Sequence, residues 1–195
     1  MKKTLLLIII HCFIISSIIA QDEPPLSYIR GGVGMHFLGS EDIAIPKLEF
    51  EYIAVVNKRL NVGISSNIGY GKHIDDYFRL WGKGERILNT FTIHIDQNIY
   101  LRMISVGNLH LYTGLGPSLM FVNDIKQNLL PNGNFANSQD PRFSVGGNIV
   151  FQLNYDINEK TALALRMQTQ SYINGEFSTG MSLNFIKTLN RETND

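Results

Sequence analysis

Cysteine is nearly missing: Cys12 is the only one in 195 residues. It sits in an apolar N-terminal run, so the chain beyond that run has no disulfide to hold it together. After residue 20 no apolar stretch approaches the roughly 18 residues of a membrane-crossing helix, and no helical period of useful length appears. An excess of one charge is also missing. Lys and Arg total 17, Asp and Glu total 17, and without Lys2 and Lys3 the net charge is −2. No basic field is present to grip a phosphate backbone, which argues against a nucleic-acid partner. Gly-x-Ser-x-Gly, His-Glu-x-x-His and phosphate-cradling glycine loops are absent, so no motif points to catalysis or to a cofactor.

What is present begins with an address. Met1-Lys2-Lys3 is a short positive segment, Thr4 to Ile19 is mostly Leu and Ile, and Ala20 precedes polar Gln21-Asp22-Glu23. That order is a secretory signal peptide with cleavage expected near Ala20. Lipidation at Cys12 is rejected, because His11 precedes it and mostly apolar residues follow. The expected organisation is a signal peptide over 1–20, a short leader over 21–26, one barrel domain over 27–187 and a polar tail over 188–195.

Beyond the leader, apolar and polar residues alternate. Phe91 to Met103 places Phe, Ile, Ile, Gln, Ile, Leu and Met on one parity and Thr, His, Asp, Asn, Tyr and Arg on the other. A period of two puts one strand face among apolar groups and the other among polar ones. Thirteen residues exceed the usual five or six or so of a soluble strand and suffice for a tilted membrane crossing of roughly 9–11. The same alternation marks Ile29–Phe37, Leu48–Val56, Leu60–Tyr70, Leu109–Phe121, Phe143–Tyr155, Thr161–Ser171 and Phe177–Phe185, eight strands in all. The pattern predicts short turns at Asn57–Arg59, Ile104–Asn108 and Asp156–Lys160, long loops at Leu38–Pro46, Gly71–Thr90 and Val122–Arg142, and a brief last hairpin at Tyr172–Glu176. Short turns on one side and long loops on the other mark outer-membrane barrels, with both termini on the periplasmic side. Pro117 removes a ladder donor inside the fifth strand, which predicts a bulge there.

The apolar parity carries no Asp, Glu, Lys or Arg in any of the eight strands, so it is expected to face lipid and to leave the polar set inside. Phe37, Tyr70, Phe91, Phe121, Phe143 and Phe177 fall at the long-loop end of the apolar parity and are candidates for an aromatic girdle at the outer interface. Inside, three guanidinium groups (Arg30, Arg102, Arg166) meet three carboxylates (Glu49, Glu51, Asp96). Buried charges must pair. An ion-pair network is therefore expected to plug the lumen, centred on Arg166 with Asp96 or Glu51. The alternative is a proton or ion path through the inward histidines His94 and His110, with His36 on the same face. Lys72, Tyr77, Phe78, Arg79, Trp81, Lys83 and Arg86 in the second long loop suit contact with anionic sugars or lipid headgroups. His73, Asp75 and Asp76 beside them are too sparse to specify a metal.

The chain resembles the small outer-membrane β-barrel proteins of the OmpA/OmpX-like group, and is most similar to the "porin family" outer-membrane β-barrel domain proteins common in Bacteroidetes. The likeness spans about residues 27 to 187 and rests on strand count, turn asymmetry and the stretch Leu111-Tyr112-Thr113-Gly114-Leu115-Gly116-Pro117. It implies an eight-stranded antiparallel up-and-down transmembrane barrel in the outer membrane of a Gram-negative bacterium. It further implies contact with outer-membrane lipids and lipopolysaccharide, assembly by the barrel assembly machinery, no cofactor and no enzyme activity. An extracellular ligand is left open. Two other readings stand beside it: a soluble periplasmic barrel with an apolar ligand inside, and a lipid-modifying enzyme using His73 with Ser171.

Overall fold

The computed structural model describes residues 27–39, 43–79, 82–129 and 135–189. Of residues 43, 73–79, 82–87, 128, 129 and 135 only the backbone is described. The signal peptide, the leader, Trp81 and the tail from residue 190 lie outside the described residues. Eight strands follow in chain order: β1 (Ser27–Leu38), β2 (Ile43–Val55), β3 (Leu60–Arg79), β4 (Gly82–Val106), β5 (Leu109–Leu129), β6 (Phe135–Asn158), β7 (Thr161–Tyr172) and β8 (Phe177–Leu189). Each pairs antiparallel with its sequence neighbours, and β1 closes on β8, giving one closed up-and-down barrel. Closure leaves no open ladder along β1, as a strand in hydrocarbon requires.

The two side-chain parities separate as the alternation demands. In β7, Ala162, Ala164, Arg166, Gln168, Gln170 and Tyr172 are buried, while Leu163, Leu165, Met167, Thr169 and Ser171 are exposed. In β4, Asp96 is buried and Ile95 is exposed, so the acid is inside and the apolar side chain outside. The outer surface carries Val33, Phe50, Leu115, Ile149 and Leu183, each more than half exposed. A belt of this kind suits lipid, since charged side chains at its mid-level would lie in hydrocarbon. The lumen is not uniformly polar. Leu38, Ile45 and Leu88 pack together near its long-strand end, and Ala162, Ala164 and Ile186 pack at the other.

Three expectations need correction. The predicted long loops are mostly strand: β1 and β2 pair up to Leu38↔Ile43, β3 and β4 to Arg79↔Gly82, and β5 and β6 to Leu129↔Phe135. Above the bilayer no lipid enforces alternation, so polar hairpins there read as loops. The asymmetry is real but lies in strand length. Beyond Gly69 and Gly146 no described partner from β2 or β7 continues the ladder, while β4 and β5 stay paired to Arg86↔Asn128. Four strands thus rise from one side of the rim; Tyr70–Arg79 alone corresponds to about 30 Å of strand.

Tyr172 belongs to β7 rather than to the last turn. Pro117 causes no bulge: register is the same on both sides of it, with Asp96↔Ser118 and Ile99↔Leu115. The ladder merely skips the intervening pairs, and Gly116 lies so close to the Gln97 carbonyl that an added Cβ would collide with it. The register shifts fall instead at Arg102/Ile104 and Asp156/Asn158, on the short-turn rim, where bulges commonly end a barrel wall.

Leu115 points outward near mid-strand and is 65% exposed. Leu115→Arg is expected to destabilise the protein refolded in lipid by about 2–4 kcal/mol, read from denaturant unfolding. A soluble barrel would tolerate that change at little cost.

Candidate functional site

The strands deliver their inward side chains into a stack of layers along the barrel axis. The central layer is ionic. Glu49 and Glu51 sit two apart on β2, so both carboxylates point inward. Arg30 on β1 reaches both, with Nη2 3.0 Å from Glu49 Oε1 and in direct contact with Glu51. Arg166, across the lumen on β7, pairs with Glu49 and lies 3.3 Å from Glu51 Oε2. Lys47 Nζ stands 3.4 Å from Glu49 Oε2. All five side chains are at most 1% exposed. Neutral groups complete the shell: Tyr100 donates to Glu51 at 2.7 Å, Ser182 donates to Glu49 at 2.8 Å, and Gln152 accepts from Arg30. The Tyr100 ring packs against Gly114, where an added Cβ would meet it at 2.7 Å.

Asp96 does not join this network. No ion pair reaches it among the described residues. Its two oxygens accept instead from Gln168 at 2.8 Å, Gln170 at 2.9 Å, Asn67 at 3.1 Å, Ser118 at 2.5 Å and Ser65 at 3.4 Å. The expectation of an Arg166–Asp96 pair fails because amides and hydroxyls from β3, β5 and β7 surround the carboxylate first. Arg102 is also outside the network. Register is unbroken from Asp96↔Ser118 to Arg102↔Tyr112, so Arg102 lies at the short-turn rim by its place close to the end of β4, and there it donates to the Lys58 carbonyl oxygen.

The histidines divide between two levels. His36 and His94 are fully buried with ring centroids 4.3 Å apart, and His94 Nδ1 is 2.9 Å from the Tyr172 hydroxyl. His110 is at the rim, with Nε2 2.9 Å from Asp156 Oδ2 and Nδ1 against Ser105 Oγ. The buried ionic layer and Tyr100 lie between these levels, so no continuous His94–His110 line exists. Among the described residues no three His, Cys, Asp or Glu side chains gather as a metal would require.

A further polar cluster was not foreseen. Asp124, fully buried, accepts from Thr90 at 2.7 Å and pairs with Arg142, whose Nη1 is 2.8 Å from Glu176 Oε1. Glu176 also accepts from Ser144 at 2.8 Å. The cluster ties β4, β5 and β6 to the β7–β8 turn over the outer end of the lumen. Apart from Ser144, its residues fall in segments that read as loops, where spacing carries no directional signal.

The six girdle candidates point outward. Phe37, Tyr70, Phe143 and Phe177 are exposed, and Phe91 and Phe121 are half-buried. Tyr70 pairs with Phe91 and Phe121 with Phe143, marking one level across two hairpins. Lys72 is exposed on β3. Tyr77, Phe78 and Arg79 lie on β3, and Lys83 and Arg86 on β4, along the protruding hairpin. Their side chains, like that of His73, lie outside the described residues.

No protein-family model matches the chain, and no curated protein is recognisably similar to it. Solved structures share its fold. A major outer membrane protein from Thermus thermophilus superposes with a TM-score of 0.64 at 9% identity, covering 84% of this chain and 98% of that one. Neisserial surface protein A gives 0.57 at 10%, covering 84% and 97%. The attachment invasion locus protein Ail of Yersinia pestis, in complex with the heparin analogue sucrose octasulfate, gives 0.56 at 10%, covering 84% and 98%. At such identity the likeness establishes architecture only.

Arg166→Ala strands buried carboxylate charge on β2 and is expected to cost about 3–5 kcal/mol in denaturant unfolding in detergent. Asp96→Asn turns one acceptor oxygen into a donor that faces other donors. A loss of about 1–3 kcal/mol is expected in the same measurement. A wild-type transition for either variant would remove the corresponding layer from this description.

Proposed function

We propose that the protein is an integral outer-membrane barrel with a sealed lumen, a structural and surface-interaction protein rather than a porin or an enzyme. One observation carries the reading. At the level of the belt the charged side chains Arg30, Lys47, Glu49, Glu51, Asp96 and Arg166 are inside and the apolar side chains outside, while Lys72, Asp140 and Lys187 are exposed nearer the strand ends. A soluble carrier of apolar ligands would invert that arrangement. Its lumen would be apolar and its outer wall wet. The fold shared with outer-membrane barrels of three genera supports the location.

The sealing follows from the layers. An eight-stranded barrel is just wide enough for its own side chains. Here Arg30, Arg166, Glu49 and Met120 are each at most 2% exposed, so no open water column passes between them. An outer-rim lipid-modifying site at His73 and Ser171 lacks support. Ser171 is on the outward parity of β7.

The protruding β3–β6 sheet offers the recognition surface, since it extends beyond any membrane contact. Its basic and aromatic residues, Lys72, Arg79, Lys83 and Arg86 with Tyr77 and Phe78, suit anionic sugars or lipopolysaccharide headgroups. Ail was solved with such an anionic sugar analogue. Exposed segments on a rigid scaffold are where binding tends to reside.

After membrane washing and fractionation the protein is expected in the outer membrane, migrating faster unheated than boiled on a gel. Recovery in the soluble periplasm would overturn the reading. Orientation has its own test. In a background without Cys12, a membrane-impermeant maleimide on intact cells should label Asn174→Cys and spare Asn108→Cys. The reverse pattern would invert the barrel.

A further inference from the structure

The short-turn rim gathers cations at one place. Lys58 and Arg59 stand on the exposed β2–β3 turn, and Arg102 reaches them from β4. All three line one open groove with Met103, Ile104 and Ser105. Its frame is fixed by hydrogen bonds. Asn57 Oδ1 accepts from the Arg59 and Leu60 amides at 2.9 and 3.0 Å, which closes the turn. The Arg102 amide donates to the Arg59 carbonyl at 2.8 Å, and its guanidinium donates to the Lys58 carbonyl. Arg102 is thus bonded to the turn twice, and a carbonyl contact leaves its charge uncancelled.

No acid lines this groove. Among the described residues no carboxylate stands within ion-pair distance of Lys58, Arg59 or Arg102. Two acids of this end belong to β6 and the turn after it. Asp156 is paired with His110, and Glu159 shares the mouth cavity with Arg102 without pairing with it. Three like charges held on one frame repel each other unless an anion sits among them. Phosphate oxygens suit the arrangement, because a guanidinium fork binds them two at a time.

The wall beside the cations is apolar. Strict alternation would turn one of two neighbours inward. The register shift at Arg102/Ile104 instead leaves Met103 and Ile104 both outside, each 56% exposed. Leu101, just before Arg102, is exposed too, and it pairs with Leu60 at the end of the turn. The cations therefore stand at the edge of the apolar belt, the depth at which lipid headgroups carry their charge. A free phosphate gains nothing from these apolar side chains, whereas a phosphate carrying acyl chains covers them. An ammonium on the same headgroup would meet three cations, so a lipid of net negative charge is favoured over a zwitterionic one.

We propose that this groove binds the phosphate of an anionic phospholipid in the leaflet around the short-turn rim, with Met103 and Ile104 against its chains. The site rests on the bilayer-spanning reading above but not on which way the barrel faces.

The test places a reporter, Leu101→Trp, in the mature barrel with Trp81→Phe, reconstituted in phosphatidylcholine bilayers. A small share of the lipid is brominated along its chains, either as phosphatidylglycerol or as phosphatidylcholine. Half-maximal quenching is expected at a mole fraction about fivefold lower or more for phosphatidylglycerol, the effect of one or more cations near an anionic headgroup. Lys58→Gln with Arg59→Gln, both on the exposed turn, should bring the two lipids to within about twofold of each other. Glycerol 3-phosphate, a soluble phosphate without chains, should leave the quenching unchanged at millimolar concentration. Equal quenching by the two lipids, or a preference that survives the double substitution, overturns the proposal while the barrel stands. Emission restored by glycerol 3-phosphate overturns the lipid assignment. Absence of quenching by either lipid overturns the bilayer reading and this proposal together. The comparison of the two lipids decides alone should the doubly substituted protein not fold.

Discussion

Everything in this molecule follows from the closing of β1 onto β8. Ser27–Leu38 is paired on one edge with Ile43–Val55 and on the other with Phe177–Leu189. Inside a bilayer an unpaired strand edge would leave a row of N–H and C=O groups with no partner. Closing the ring satisfies them, and it also fixes the width of the interior. Eight strands enclose a space that side chains fill. The inward parity must then solve a packing problem and an electrostatic problem together.

The solution is layered. Two glutamates on β2 meet Arg30 from the neighbouring β1 and Arg166 from β7, with Lys47 beside them. Such a cluster is costly to form and far more costly to leave half-made, so its value lies in fixing one arrangement of strands. Asp96 makes the same point by other means. Its carboxylate is solvated by five neutral donors from three strands, which ties β4 to β3, β5 and β7 across the lumen. The Asp124–Arg142–Glu176 group caps the outer end. At the short-turn mouth a cavity of about 140 Å³ remains, on whose wall His110 is paired with Asp156 and Gln152 donates to Asn154.

Legibility in the sequence tracks where the environment imposes alternation. Between the girdle and the short turns, lipid outside and packed polar groups inside force a period of two. Strand number, parity and the inward placing of Arg30, Glu49, Glu51 and Arg166 could be read there. Above the girdle no lipid covers the outward face, so Gly71–Thr90 and Val122–Arg142 lack the apolar alternation while keeping the ladder. Within the lumen, the pairing of charges was not readable from parity. Parity says that Asp96 and Arg166 both point inward but not at what height or angle. Gln168 and Gln170 carry no charge that would mark them as partners of an acid, yet with Ser65, Asn67 and Ser118 they satisfy Asp96 without an arginine. Arg102 was misplaced because parity gives its face and not its height, and it lies below Asp96 on β4, at the short-turn rim.

The central claim, that the apolar parity meets hydrocarbon while the charged parity is sealed from it, has one direct measurement. Trp81 is the single tryptophan, so a Trp81→Phe background allows a reporter to be placed at will. With Leu115→Trp in that background, reconstituted in bilayers, emission is expected to be blue-shifted and strongly quenched by lipids brominated along the acyl chain. Emission near the wavelength of tryptophan in water, unaffected by brominated lipid, would contradict the account.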